Sequence, residues 1–486
     1  MTALGLRPGG RLGLSSRRRR PTSAPFLPDQ LADLAFWYRA GDPQNTVTSG
    51  AVAQAFDLSG NGRHGSATSS TNRPLDATDP DGRAIMRFDG SNDALLVGSP
   101  PSMAAGVTVF IAYRLRQHVN GGGILAAGKA GTGSGNTQFF EFNSQFTANR
   151  TALIGKTAQA DRITTAQRVD PTDKNYAVFK IADASAELRD FAGSVTDAST
   201  AVAFGTPDVI VIGARAFNQF ATTPYGFIDV YEVGLYARPL SATELNLLED
   251  YLKSRHQIIW SPGYLDGSLA WWHDDWSTFA LTGSLVDEWR DRSGKGRHWT
   301  ASGAARPERT TQAGNIVVRH DGLDDAMALA GTLLPLQPFT AAVVYRLRER
   351  TDFVGILSAA AATALDHSSF WTFECAAAIS GNLQLFGRST EADHLAITVP
   401  DDGATQIALW TASAGNASLR HAGGVVSDGY AGSFGTPAAI VLGARYNAGP
   451  FNHAAVDVMA ALGFSSALAE SDQLKLIDWA SAKWGV

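Results

Sequence analysis

Short apolar segments separated by glycine- and proline-rich turns dominate this chain. In VTVFIAYRLR, Val107, Val109, Ile111 and Tyr113 alternate with Thr108, Phe110 and Ala112. One strongly apolar face and one mixed face result, the period-two pattern of a sandwich strand. AIMRFDG, FFEFN, YAVFKIA and DVIVIGAR read the same way, as do IVVRHDG, FTAAVVYRLR, FWTFE, QIALWTA and AAIVLGAR further on. Helical periodicity enters at the end of each half. In LSATELNLLEDYLKSRH, Ser241 and Glu244 form a capping box ahead of Leu245, Leu248 and Leu252. LAESDQLKLIDWASAKW repeats the pattern, with Ser471, Leu474, Ile477 and Trp484 in the matching roles. Many short strands without interleaved helices predict a sandwich or jelly roll rather than a parallel α/β sheet.

The two halves are copies of one unit. DLSGNGRH from Asp57 answers DRSGKGRH from Asp291, RFDGSNDAL from Arg87 answers RHDGLDDAM from Arg319, and FGTPDVIVIGAR from Phe204 answers FGTPAAIVLGAR from Phe434. The matches keep their order while their spacing drifts down by a few residues, as small loop deletions require. The expected organisation is all-β: two tandem jelly-roll β-sandwiches, each closed by a short C-terminal helix, behind an extended N-terminal arm. Residues 1–30 form the arm, 31–259 the first sandwich, 260–267 a linker marked by Pro262 and Gly263, and 268–486 the second sandwich.

Composition adds constraints. A chain of 486 residues exceeds what one core usually holds, and 49 Gly with 20 Pro suit many turns. With Cys375 alone no intrachain disulfide forms, and in FWTFEC it reads as a small buried hydrophobe, as Trp37, Trp271 and Trp272 read as core. The net charge of −6 hides an asymmetry, because the arm carries Arg7, Arg11, Arg17, Arg18, Arg19 and Arg20 against the single acid Asp29. The body is correspondingly acidic, which argues against a nucleic-acid partner. No apolar run approaches the roughly 18 residues of a membrane span. The arginines are followed by Pro21, Thr22 and Ser23 rather than an apolar stretch, so general secretion is not expected. The arm has no helical or strand period, and its arginines, with Leu4, Leu6, Leu12, Leu14, Phe26 and Leu27, suit an acidic groove on a protein partner.

The opening FWYRA or AWWHD, the octet D-x-S-G-x-G-R-H, R-x-D-G-x-x-D, a strand ending Y-R-L-R, and the closing I-D-V-x-x-x-x-L-Y-x-R-x-L-S-x-x-E resemble the concanavalin A-like lectin and glucanase superfamily in its laminin G-like form. The resemblance covers nearly all of residues 31–486, once per half, and departs most in the second, where Tyr236 and Arg238 have no equivalents. It implies the sandwich fold. Such sandwiches host lectins, glycosidases, adhesins and spacers, so function rests on a site. It also implies a phage or phage-like particle, in which such modules are common in fibres, spikes and head decorations. The expectation is a virion-surface protein made in the cytoplasm and released by lysis, with other particle proteins bound by the arm and polysaccharide bound by a homo-oligomer.

Candidate chemistry is sparse. Retaining hydrolysis needs two carboxylates about 5 to 5.5 Å apart. The nearest motif, FIDVYE, puts Phe227 at the nucleophile position and an odd spacing between Asp229 and Glu232, expected to face opposite ways, while the second copy retains only Asp457. No enzyme, cofactor or metal site is expected. Calcium could use Asp89 and Asp93, or Asp321, Asp324 and Asp325, but D-G-x-x-D is also turn chemistry. His64 and His298 lack zinc-ligand spacing. Sugar stacking needs exposed rings beside amides. The loops after IGAR and LGAR offer Phe217, Asn218, Phe220 and Tyr225, and Tyr446, Asn447, Phe451, Asn452 and His453. They serve either ligand contact or a subunit interface.

Overall fold

The computed structural model describes residues 26–128, 138–144, 151–155, 162–164, 173–182, 185–191, 193–198, 205–217, 220–222, 224–265, 268–274, 276–331, 338–351, 353–360, 370–375, 382–390, 393–400, 403–413, 415–421, 424–430, 436–446 and 449–486. In the first copy the strand Ile228–Tyr236 pairs with Leu34–Arg39 and Ala84–Arg87 on one side and Val107–Leu115 on the other. Asn175–Ala182, Ser185–Asp190 and Gly193–Asp197 extend that sheet antiparallel. The facing sheet runs Gly65–Ser66, Leu95–Val97, Val209–Ile212, Gly123–Gly128, Gln138–Ser144, Thr151–Gly155 and Arg162–Thr164. The second copy repeats the order. Ala455–Phe464 lies between Leu269–His273 with Asn315–Asp321 and Phe339–Leu347, which continues to Gln406–Ser413, Gly415–His421 and Gly424–Tyr430. Its facing sheet runs from Trp299–Thr300 through Met327–Leu329, Ala439–Leu442, Gly355–Ala360, Phe370–Cys375 and Asn382–Thr390 to Asp393–Pro400.

Val107, Val109, Ile111 and Tyr113 face the inter-sheet core, whereas Phe110 and Ala112 face the closing helix α1, Ala242–His256. The mixed face is thus buried too, which is why Phe110 and Ala112 are apolar as well. Leu245, Leu248 and Leu252 pack on it behind the expected Ser241/Glu244 capping box. In the second copy the expected register fails. Helix α2, Glu470–Trp484, is preceded by Ala469 without a side-chain cap, and Leu474 is exposed while Leu476, Trp479 and Ala480 are buried. Trp479 and Ala480 stand where α1 has Tyr251 and Leu252, so wider and narrower residues exchange along one helix face. Buried Thr108 and Thr340 staple the helices alike, accepting from Leu240 and Leu468 N–H at 2.9 and 3.0 Å.

The repeated motifs are structural fasteners. Asp57 accepts from the N–H groups of Trp37, Ser59 and Arg63, and Asp291 from those of Trp272, Ser293 and Arg297, so each octet ties a turn to the opening strand. His64 and His298 accept Asp57 and Asp291 N–H through Nδ1 at 3.0 and 2.9 Å. Cys375, Trp37, Trp271 and Trp272 are buried.

The connecting segment is built into a joint. Pro262–Leu265 forms a 3-10 turn whose Tyr264 hydroxyl donates to Asn175 Oδ1 of the first sandwich at 2.7 Å and whose ring meets Phe191 edge-on. Arg292 lies 4.0 Å above the Trp272 ring and bonds Asp274 of its own sandwich and, at 3.1 Å, Asp173 of the other. The first copy has Leu58 and Gln30 in place of Arg292 and Tyr264, and the second has Ala404 and Gln406 in place of Asp173 and Asn175. These contacts therefore join two units once and do not propagate a head-to-tail array. A turn matching Pro262–Leu265 precedes the first sandwich, where Pro28–Gln30 receives the Tyr236 hydroxyl on the Pro28 carbonyl at 2.8 Å and Phe26 packs beside Tyr251.

Candidate functional site

The carboxylates nearest to a hydrolytic motif are structural. Val230 and Val233 both face the inner core because a β-bulge interrupts the pairing between Val230 and Glu232. Asp229 and Glu232 consequently lie on the same helix-side face, not on opposite faces as strict alternation implies. Both are fully buried. Asp229 sits between Arg87 and Arg114 in a cross-strand row, with contacts of 2.9 Å to Arg87 and 3.1 Å to Arg114, and Arg116 approaches to 3.8 Å. Asp457 keeps Arg319 at 2.7 Å and the Arg116 counterpart Arg348 at 3.5 Å, whereas Arg346, the Arg114 counterpart opposite it, bonds the Gly403 carbonyl. The bond to Asp229 raises the Arg87 pKa, and Asp457 does the same for Arg319. Glu232 accepts from Trp37 Nε1, the Tyr251 hydroxyl, His256 and Arg255 at 2.5 to 3.2 Å. These carboxylates are committed to holding strands and helix together.

The aromatic candidates fall on one hairpin per sandwich. Arg215–Phe217 pairs with Phe220–Thr222, and Ala444–Tyr446 with Pro450–His453. Each hairpin leaves the facing sheet through a glycine with positive φ, Gly213 at 87° and Gly443 at 85°, where an added Cβ would strike Phe88 or His320. The first arginine of each is pinned from below by a buried carboxylate. Arg215 Nε is 2.8 Å from Glu141 and Arg445 Nε 3.0 Å from Glu374. These two acids occupy different rungs, since Glu141 opposes Ala126 whereas Glu374 opposes Gly355, the counterpart of Gly123. The acid has moved two residues along the strand and kept its arginine.

Phe217 and Phe220 are paired across the first hairpin, while Asn218 lies outside the described residues, as does Asn447. Tyr225 is half-buried against Ala126, Val211 and Ala214, and Tyr446 against Val441 and Ala444. Phe451 is half-buried with the Arg445 guanidinium 5.5 Å from its ring centre, Asn452 is exposed, and the ring of exposed Phe353 is 5.8 Å from the same guanidinium. His453 donates from Nδ1 to the Asp325 carbonyl at 3.0 Å. The rim of the second sandwich thus brings together Phe353, Arg445, Phe451 and His453. Sequence reading missed Phe353, Arg445 and their buried acids. The usable signal was the arginine of IGAR and LGAR, matched in both copies to an acid on an otherwise apolar strand.

The D-G-x-x-D segments are turns. Asp89 Oδ1 accepts from Ser91 and Asn92 N–H, Asp321 Oδ1 from Leu323 and Asp324 N–H, and Asp93 and Asp325 close each turn from the other side. Burial lifts the Asp93 and Asp325 carboxyls to about 6. Carboxylate oxygens of Asp321, Asp324 and Asp325 lie within 4.8 Å of one another; the turn bonds engage those of Asp321 and Asp325, and Asp324 is exposed. The arm arginines Arg7, Arg11, Arg17, Arg18, Arg19 and Arg20 lie outside the described residues. No described helix is long and apolar enough to cross a membrane.

No family model matches the chain, and no curated protein matches it. Similar solved structures include domains LG4-5 of the mouse laminin alpha1 chain, at 12% identity and a TM-score of 0.25 over 79% of this chain and 91% of that one. The binding domain of botulinum neurotoxin DC in complex with SialylT is similar at 10% identity and a TM-score of 0.37, over 85% of this chain and 94% of that one. The CBM40 of Ruminococcus gnavus IT-sialidase is similar at 12% identity and a TM-score of 0.26, over 29% of this chain and 83% of that one.

Proposed function

We propose that this chain is a carbohydrate-binding protein without catalytic activity, which meets cell-surface polysaccharide through the rim hairpins of its two sandwiches. The reading is carried by the duplicated hairpin, whose leading arginine is fixed by a buried carboxylate in both copies although that carboxylate has changed rung. A ring platform contributes to sugar binding when its support is rigid, because a mobile ring loses the stacking energy to ordering. Phe451 and Phe353 around Arg445, with exposed Asn452 alongside, supply the ring and amide chemistry that sugar faces and hydroxyls require. We further assign the arginine-rich arm to anchorage on other proteins of a phage or phage-like particle, as a fibre, spike or head decoration exposed at the particle surface. Assembly as a homo-oligomer would raise weak single-site affinity by avidity.

One observation favours a purely structural ornament instead: Tyr225 and Tyr446 each rest one side on an apolar cluster and so have a packing role already. Binding of purified protein, with and without residues 1–25, to intact bacterial envelopes and isolated capsular polysaccharide separates the two, because Phe26 and Pro28 already pack on the first sandwich. Saturable binding that survives arm deletion and falls on Phe220→Ala, Tyr225→Ala or Phe451→Ala supports an adhesin, whereas no binding by either form leaves the ornament.

A further inference from the structure

The two rims differ at one backbone position. In the first sandwich Gly121, just ahead of the strand Gly123–Gly128, takes φ 68° and is buried. In the second, Phe353 takes φ 65° at the corresponding position, ahead of Gly355–Ala360, and is 46% exposed. One backbone bond marks the correspondence. Ser144 N–H donates to the Gly122 carbonyl at 2.9 Å, and Cys375 N–H to the Val354 carbonyl at 3.2 Å. A left-handed backbone suits glycine and strains a bulky residue. Burial of the ring does not offset that strain, because much of it stays in water. Strain of this kind persists where the side chain has a task to perform.

A second exchange accompanies the first. Arg445 pairs across its hairpin with Phe451, whereas Arg215 pairs with Thr222. The Arg445 guanidinium therefore lies 5.8 Å from the Phe353 ring centre and 5.5 Å from that of Phe451, two rings that stand where the first copy has glycine and threonine. Buried Glu374 holds Arg445 Nε at 3.0 Å and balances its charge. The next residue, Asn452, is exposed and also left-handed, at φ 47°. The second rim thus offers an exposed aromatic face on a pinned, charge-balanced support, with an amide close by in the chain. An uncharged pyranose fits that combination. Its C–H face covers a ring, its hydroxyls meet the amide, and it brings no charge for which the balanced arginine would have to compensate.

We propose that the second rim is the principal polysaccharide site of the chain and that Phe353 is its stacking platform for an uncharged pyranose, an assignment that rests on the rim reading given above. Saturation binding of the full chain to a neutral and to an acidic capsular polysaccharide tests it, at high salt so that charge contacts of the arginine-rich arm are screened. The neutral polysaccharide binds. Phe353→Gly, which installs the first copy's residue, lowers that affinity about tenfold, the loss of one stacked ring. Its melting temperature stays close to the parent's, since relief of strain offsets the added freedom of glycine. Phe353→Trp keeps a ring and keeps binding. Phe220→Ala and Tyr225→Ala, on the first rim, lower affinity less than about twofold. If the parent binds neither polysaccharide, the rim reading falls and this assignment with it. The reading stands and the assignment alone is overturned if only the acidic polysaccharide binds, if Phe353→Gly binds as the parent does, if Phe353→Trp loses binding as the glycine variant does, or if the first-rim variants cause the larger loss. A change in the mass of Phe353→Gly in solution, measured by light scattering, would likewise overturn it by making the ring a subunit contact.

Discussion

The two sandwiches share a strand order but fasten their closing helices by different chemistry. In the first, Glu232 is a polar hub that accepts from Trp37, Tyr251 and His256. In the second, Ala460 occupies that rung, Trp479 and Trp484 meet edge-on at 4.9 Å on the helix, and the Trp37 counterpart Trp272 lies under Arg292 at 4.0 Å. A polar hub and an edge-on aromatic pair support the same geometry, because replacing a whole polar set by well-packed groups is nearly neutral, whereas removing one member strands the others. The comparison also explains why Tyr236 and Arg238 have no equivalents in the second half. They hold the segment before the first sandwich and Glu244 of the capping box, and α2 has no such box.

Exchanging residues between the copies tests this account. The largest effect is expected for Arg292→Leu, which installs the first copy's residue, breaks the ion pair across the joint to Asp173 and leaves buried Asp274 to Lys483 alone, and should cost about 3–5 kcal/mol. Calorimetry should then resolve two transitions where the parent, with its joint intact, shows one. A single transition in the variant would mean that the sandwiches are coupled by other contacts. Glu232→Ala, which installs the second copy's residue without its aromatic partners, should cost about 3 kcal/mol in urea unfolding through the stranded Trp37 and Tyr251 donors. A cost below about 1 kcal/mol would show that the hub is dispensable.

Acid should separate the copies next. Burial drives His273 and His320 down to about 4, and the first copy has Tyr38 and Phe88 at these positions. A lowered folded-state value favours the neutral ring, so this stability is full above about 6.5 and is lost as the pH falls toward 4. The second sandwich should lose about 2 kcal/mol for His320 between pH 6.5 and 4.5, and His320→Phe should remove that slope in pH-dependent urea melts. The carboxyls of Asp93 and Asp325, raised to about 6, act oppositely, with a contribution present below about 4 and lost as the pH rises through 6. They occur once per copy and subtract out of the comparison. The smallest effect concerns the caps. Ala469→Ser should add about 1 kcal/mol to the second sandwich by supplying the missing cap, and Glu244→Ala should cost the first a similar amount.

The duplication, the all-β architecture and the inward face of each strand were legible because period-two alternation and repeated turns are local properties of the chain. Val107, Val109, Ile111 and Tyr113 face the core as their alternation requires. The α2 register was not legible, since Leu474 and Leu476 are equally apolar and only packing against Trp272 and Leu462 selects the second. The sequence pointed to the hairpin rings but not to Phe353, which reaches the site from another loop with its backbone at φ 65°.

What the sequence determined by itself was therefore the unit, its repetition and its turns, each encoded within a few residues. Tertiary structure decided which polar groups are fasteners and which are free. Asp229 and Glu232 resemble catalytic acids in one dimension, but a bulge and the arginines and helix that converge from distant segments make them structural. Leu58 and Arg292 look like ordinary variation within an octet, yet only the second meets Asp173 across the joint. Several of these partners, such as Arg87 and Arg114 for Asp229, Trp37 for Glu232 and Asp173 for Arg292, lie more than a hundred residues away, and the chain brings them together only when its sheets have closed.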